Sequence, residues 1–314
     1  ARKQRVQLQQ PVEYREERSR FGGTIAARNQ RFILLCLLPA SLALLAVIAY
    51  PLFYGFFLSL TDANPLSLEQ EFIGFTNYRD ILGDSVYQNS LWLTIRFTAV
   101  IIAIEFPLAM ILALLLNEPI RGRAIYRAML LIPWVMPNVV AAIIWGWLYS
   151  PDFGLLNFAL AELRLIDTYL SFTGDPNRAL PAVIAVSVWK GLPFSTVVLL
   201  AGLQAVPADL YEAARVDGAN AWQRFRDITV PGMLPIIVIV LVLRAVWSFN
   251  SFDLVYVLTG GGPGWATQLL SIYVYLTSFQ YQQLGYGAAM AVTMLVVLAI
   301  PVAIFVRRTL PREA

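Results

Sequence analysis

Five charged side chains interrupt otherwise apolar runs of this sequence: Arg96, Glu105, Lys190, Arg244 and Asp253. An ionisable group in hydrocarbon is costly, so each is a candidate for ion pairing, proton relay or solute contact. Counting ~1.5 Å per helical residue from the outer end of each run puts Arg96 and Asp253 at about 6–8 Å depth, and Glu105 and Arg244 at about 20 Å. Level matching predicts two structural ion pairs, provided the helices are neighbours. Lys190, at about 15 Å, has no carboxylate at its level. Two readings fit it: solute contact, or a lysine satisfied by water or backbone. Nearby in sequence to Arg244, Trp247, Phe249, Phe252 and Tyr256 offer flat apolar faces, while Asn250, Ser251 and Asp253 offer hydrogen-bonding groups. That mixture suits a ligand with C–H faces and a hydroxyl rim. The same aromatic row also fits packing or an interfacial belt. The candidate solute-binding set is Lys190, Trp247, Asn250, Ser251, Asp253 and Tyr256.

Other chemistries are closed by absence. The chain has no His, which removes His-based acid–base catalysis, Ser–His triads and most zinc sites. Its one cysteine, Cys36, cannot form an intrachain disulfide. The only lysines, Lys3 and Lys190, are not followed by Ser or Thr, so there is no P-loop. Any ATP used must be bound by another chain. Gly260-Gly-Gly-Pro263 reads as a non-helical turn after a span, not as a phosphate cradle.

The elements that must carry these residues follow from composition. Of 314 residues, 58% are apolar and 14% charged, and mean hydropathy is +0.64. Soluble proteins average ~45–50% and ~25%. A soluble globule, a disordered chain and a nucleic-acid binder are all excluded, and lipid is the implied solvent. A bilayer-spanning helix needs ~20 mainly apolar residues. Six runs qualify: 32–60, 92–116, 128–149, 180–206, 232–258 and 287–306. Prolines at 39 and 51 mark kinks or an early end of the first run, and prolines at 133 and 137 stand near the start of the third. The fold class is therefore all-α integral membrane, with six transmembrane helices. Lys and Arg number 17 in segments 1–31, 117–127, 207–231 and 307–314, against 3 in segments 61–91, 150–179 and 259–286. The positive-inside rule then places both termini in the cytoplasm of a multi-pass cell-membrane protein. The organisation is a tail 1–31, a permeation domain 32–306 and a tail 307–314. The first span reads as an uncleaved anchor, since its apolar run is long and lacks a small-x-small cleavage site. The basic first tail is drawn to anionic lipid or simply orients the chain.

One inner loop, 207–231, is long enough to be structured. Asp209 is expected to cap a first helix, with Glu212 completing a capping box. Ala213, Ala214 and Arg215 favour helix, and Gly218 stands where a left-handed terminator belongs. Asn220 is expected to cap a second short helix bearing Trp222, Phe225 and Ile228, and Pro231 to start the fifth span. A unit this short needs a docking surface. That surface is either another protein, approached through the small Ala213/Ala214 face, or the chain's own bundle.

Glu212-Ala213-Ala214, three residues, Gly218, nine residues, Ile228, one residue, Val230-Pro231 resembles the EAA loop of ABC-importer permeases. Val230 stands where the usual pattern has Leu. Asn117 to Arg127 followed by Leu131-Ile-Pro-Trp134, and Phe252-Asp-Leu-Val-Tyr-Val-Leu-Thr-Gly-Gly-Gly-Pro263, are similar to other stretches of the sugar-permease group. The likeness extends over roughly residues 30–310. It implies a type I ABC-importer permease fold and no enzymatic role. The implied partners are a second permease subunit (a heterodimer), two ATPase subunits holding ATP and Mg, an extracytoplasmic solute-binding protein and membrane lipid, with no nucleic acid. It further implies that Glu212, Ala213, Ala214 and Gly218 couple to the ATPase, and that the solute is a sugar, polyol or sugar-phosphate ester. The outer segments carry 9 acidic and 3 basic residues, and two readings fit them equally: part of the binding-protein docking face, or orientation bias alone.

Two other classes compete. An ion-coupled transporter could use Glu105 or Asp253 for a proton. It leaves the EAA spacing unexplained and lacks visible repeats or paired Gly/Pro-broken spans. An intramembrane enzyme would need a His, Ser–Lys or paired-Asp constellation, which the sequence does not supply.

Overall fold

The computed structural model describes residues 33, 36–67, 70–119 and 121–309. The tail 1–31 and residues 310–314 lie outside the described residues. Among the described residues regular structure is helical, apart from an isolated antiparallel bridge between Thr61 and Phe72. Two units divide after Tyr54. The first holds residues 36–54 of helix α1 (Cys36–Leu58), where Tyr50 and Tyr54 stack one turn apart at 6.1 Å between ring centroids.

The second unit contains α2 (Thr76–Gly83), α3 (Ser85–Asn117), α4 (Arg123–Val135), α5 (Asn138–Leu148), α6 (Leu155–Glu162) and α7 (Pro176–Ala205). After these come α8 (Ala208–Val216), α9 (Ala221–Phe249), α10 (Asp253–Thr259), α11 (Leu270–Tyr275) and α12 (Leu284–Thr309). Helices α1, α3, α7, α9 and α12 are each long and apolar enough to cross a membrane, and α4 and α5, bent by 96°, pass the same test together as a broken span or a re-entrant loop.

The expected single span 128–149 is thus two helices. Pro137 has no N–H to offer the Pro133 carbonyl, and it forces Met136 to an extended ψ of 135°. The fifth span also departs from expectation. It does not run to 258 but stops at Phe249, with Asn250–Phe252 non-helical before α10. At its other end it does not start at Pro231: α9 runs back to Ala221 through a π turn at Phe225–Thr229. Val230 N–H reaches Phe225 O there, one residue beyond the α pattern, just before the donorless Pro231. Of these two breaks only the first, at Pro133–Pro137, falls at proline or glycine; the second, at Asn250-Ser251-Phe252, has neither.

Helices α3 and α7 form the centre of the second unit. Small side chains let backbones approach, as lipid-embedded packing requires. Ala109 and Ala113 of α3 are fully buried, and a Cβ on Gly202 of α7 would come within 2.9 Å of Ile236 on α9. One buried cluster joins Phe97, Ile101, Val183, Val186, Val255 and Ile272, and a second, nearer the 207–231 loop, joins Met110, Leu199, Leu203, Met233 and Ile237. Leu108, Ile111, Ile143 and Leu295 remain exposed.

Candidate functional site

Three side chains that the sequence places far apart meet between α3, α7 and α9. Glu105 is 1% exposed, and its Oε2 accepts from Arg244 Nη2 at 2.6 Å. Its Oε1 accepts from Ser195 Oγ at 2.5 Å. Gly191 makes the room: a Cβ there would sit 2.5 Å from both Arg244 Cζ and Glu105 Oε2. The level-matched Glu105–Arg244 pair therefore forms. The second expected pair does not: Arg96 and Asp253 are both exposed and make no ion pair among the described residues. Asp253 escapes it because the break at 250–252 moves it off the fifth span into α10.

Arg244 also lines a cavity of about 600 Å³ between α5, α7, α9 and α10. Five of the six residues proposed for solute contact lie on it: Lys190, Trp247, Asn250, Ser251 and Asp253. Tyr256 does not. Its ring packs on Phe252 at 5.0 Å and on Tyr275 at 5.3 Å, inside an aromatic cluster. Asn250 sits at the end of α9 and its Nδ2 donates to Val246 O at 2.8 Å, capping that helix with its amide. Ser251 O accepts from Ser271 Oγ at 2.6 Å, which fixes the non-helical stretch. The Ser251 hydroxyl and Asp253 carboxylate have no partner among the described residues.

Lys190 is held differently. Its Nζ donates to Met136 O at 2.5 Å and to Pro133 O at 3.3 Å, so the backbone-satisfied reading describes it. Sequence reasoning missed Trp134, Asn138 and Phe194, which complete the walls. Phe194 bridges two tryptophans, at 5.9 Å from Trp134 and 4.8 Å from Trp247. The Pro133/Pro137 spacing was the signal: a break between them turns Trp134 and Asn138 toward α7.

At the 207–231 loop, α8 begins at Ala208 after Pro207, so Asp209 lies inside the first turn and makes no cap, and the Asp209–Glu212 capping box is absent. Asn220 does cap the next helix, and Gln223 completes a capping box with it. Gly218 adopts φ +78°, with Ala219 N–H returning to Ala214 O at 2.9 Å and Gly218 N–H to Arg215 O at 3.1 Å. That is a Schellman ending. Tyr211 Oη and Thr229 Oγ1, 3.0 Å apart, tie α8 to α9. Glu212 and Ala213 are exposed and Ala214 half-buried. Leu210, Val216 and Trp222 stand at 50%, 88% and 65% exposure, Trp222 with its ring stacked on Phe225 at 5.6 Å.

The chain is thus a helical bundle with a polar–aromatic cavity at its broken helices and a capped helix pair at the 207–231 loop. The chain belongs to the family of binding-protein-dependent transport system inner membrane components, which its residues 105–313 match. It is 38% identical over 269 residues to the trehalose/maltose transport system permease protein MalF of Thermococcus litoralis, covering 85% of this chain and 89% of that one. It is 36% identical over 276 residues to the sulfoquinovosyl glycerol transport system permease protein SmoG of Agrobacterium fabrum, covering 87% and 88%. In fold it is similar to a chain of a bacterial alginate ABC transporter crystallised in complex with an alginate pentasaccharide-bound periplasmic protein, at TM-score 0.78 and 23% identity, covering 90% and 96%. This chain is a transport subunit of an ABC importer and not an enzyme.

Proposed function

We propose that this chain conducts a sugar or sugar-like solute, handed over by an extracytoplasmic binding protein, across the cell membrane. The observation that carries the reading is the 600 Å³ cavity, where Trp134, Phe194 and Trp247 face Asn250, Ser251 and Asp253. Aromatic plates cover the C–H faces of a sugar, and fixed polar groups at the ends of broken helices meet its hydroxyls. The named relatives carry trehalose, maltose and sulfoquinovosyl glycerol, which supports the sugar class.

The chain's α8–α9 turn docks on an ATPase subunit as a helix in a groove, with Glu212, Ala213, Ala214 and Gly218 at the contact. The exposure of Leu210, Val216 and Trp222 supports a missing protein partner there. ATP and Mg stay on two such ATPase subunits, and a second permease subunit closes the pathway. The 17-to-3 distribution of Lys and Arg puts this loop and both termini in the cytoplasm.

The test is to purify the tagged chain gently from its native membrane, identify what accompanies it, and reconstitute the complex with its binding protein in liposomes. ATP-dependent uptake of a labelled sugar is expected, and Asn250→Ala is expected to weaken it. A chain that purifies alone and transports without ATP sinks the reading.

A further inference from the structure

The bend in the third span poses a backbone problem. In hydrocarbon every carbonyl needs a donor from within the protein. Inside a helix the Pro133 carbonyl would accept from the N–H of residue 137, but Pro137 has none. Met136, at the end of α4, has left helical geometry, and the first return bond of α5 goes from Ala141 N to Pro137 O at 3.0 Å, one residue too late to serve it. Two of the carbonyls stranded at this helix end, Pro133 O and Met136 O, are the ones that Lys190 reaches from the middle of α7, at 3.3 and 2.5 Å. A cation at a helix C-terminus also meets the negative end of its dipole. One turn further along α7, Phe194 stacks on Trp134 of the same bend.

We propose that Lys190 is a positioning residue: its ammonium supplies the donors that Pro137 and the bend remove, pins the α4–α5 junction to α7, and thereby fixes the cavity wall that sets solute affinity. The wall in question is Trp134, Met136, Pro137 and Asn138, all of which line the cavity. The effect on solute affinity rests on the sugar-permease reading given above, whereas the pinning of the bend does not.

The experiment uses the whole transporter in a Cys36→Ser background, with spin labels at cysteines replacing the exposed residues Ile132 on α4 and Val140 on α5. The label-to-label distance is measured without solute, and labelled-sugar uptake is measured on the same variants without labels. With Lys190, one narrow distance is expected. Lys190→Met should broaden and shift it and raise KM about tenfold, with a smaller change in kcat. Lys190→Arg, which keeps the donors, should restore both. Should Lys190→Met fail to accumulate, Lys190→Gln, with one amide donor group, is expected to give an intermediate distribution. An unchanged distance in Lys190→Met or Lys190→Gln overturns the proposal. If KM nevertheless rises, Lys190 touches the solute directly and the pinning role is wrong. If no sugar is transported by the unsubstituted complex, the sugar reading falls while the distance measurement still judges the pin.

Discussion

Asp84 is where three elements are tied together by one carboxylate. It caps α3 through the Val86 and Tyr87 amides at 2.8 and 3.1 Å, and accepts from Tyr273 and Tyr286 hydroxyls at 2.7 and 3.0 Å. Burial pushes its carboxyl upward, but the hydrogen bonds from Tyr273, the Tyr87 amide, Tyr286 and the Val86 amide outweigh burial and hold it below the usual value. A lowered carboxyl favours the folded state above its unfolded value, near ~3.9, and loses that contribution as pH falls through the folded value. Asp84→Asn should therefore destabilise the purified complex at neutral pH by about 1 kcal/mol after solvent screening, read as a lower Tm, with the gap closing below about pH 4. A pH-independent gap would assign the loss to geometry instead of charge. At Gly218 the left-handed φ of +78° costs a side chain about 1–2 kcal/mol, although a Cβ there meets nothing within 4 Å. Glu212→Lys and Gly218→Val should leave the chain inserted and separate ATP hydrolysis from uptake. Normal coupled uptake in both variants would refute the docking role of this turn.

At the scale of elements, the Glu105–Arg244–Ser195 cluster joins three membrane helices where a mismatch is expensive. Arg244→Met strands a buried carboxylate and should cost about 3–5 kcal/mol, while Glu105→Met with Arg244→Met together should recover most of it. Thermal unfolding of the detergent-purified complex reads both. Gly191→Val should prevent accumulation of the protein, because its Cβ would enter the space of the ion pair. The same pair explains what could be read from sequence and what could not. Depth counting paired Glu105 with Arg244 although the count to Arg244 passed through the break at 250–252, because a three-residue error leaves both deep in the bundle. It failed for Arg96 and Asp253 because residues 250–252 are not helical, and hydropathy does not register such a break. Gly218 and Asn220 were readable since their roles are local to a turn. Asp209 was not, because a proline at 207 starts α8 one residue before it. Lys190 carried the right alternatives but not the answer, which depends on carbonyls 54 and 57 residues away.

For the whole molecule, the charge asymmetry predicts sidedness. In a Cys36→Ser background, Asp217→Cys should react with an impermeant thiol reagent only from the cytoplasm, and Asp167→Cys only from outside. Both residues are exposed. Reaction from the same side would break the six-crossing topology. The bent third span bears on how the chain is made. A lysine at a span's centre costs about 2.5–3.5 kcal/mol to insert alone, and the third span arrives with two stranded carbonyls. Each defect is the other's remedy, yet 57 residues separate Pro133 from Lys190 in the order of synthesis. The translocation machinery should therefore retain the third span until α7 emerges and release the two as a hairpin. In a nascent chain halted before residue 176 the third span should still crosslink to the translocation machinery, and in one extended past 206 it should not.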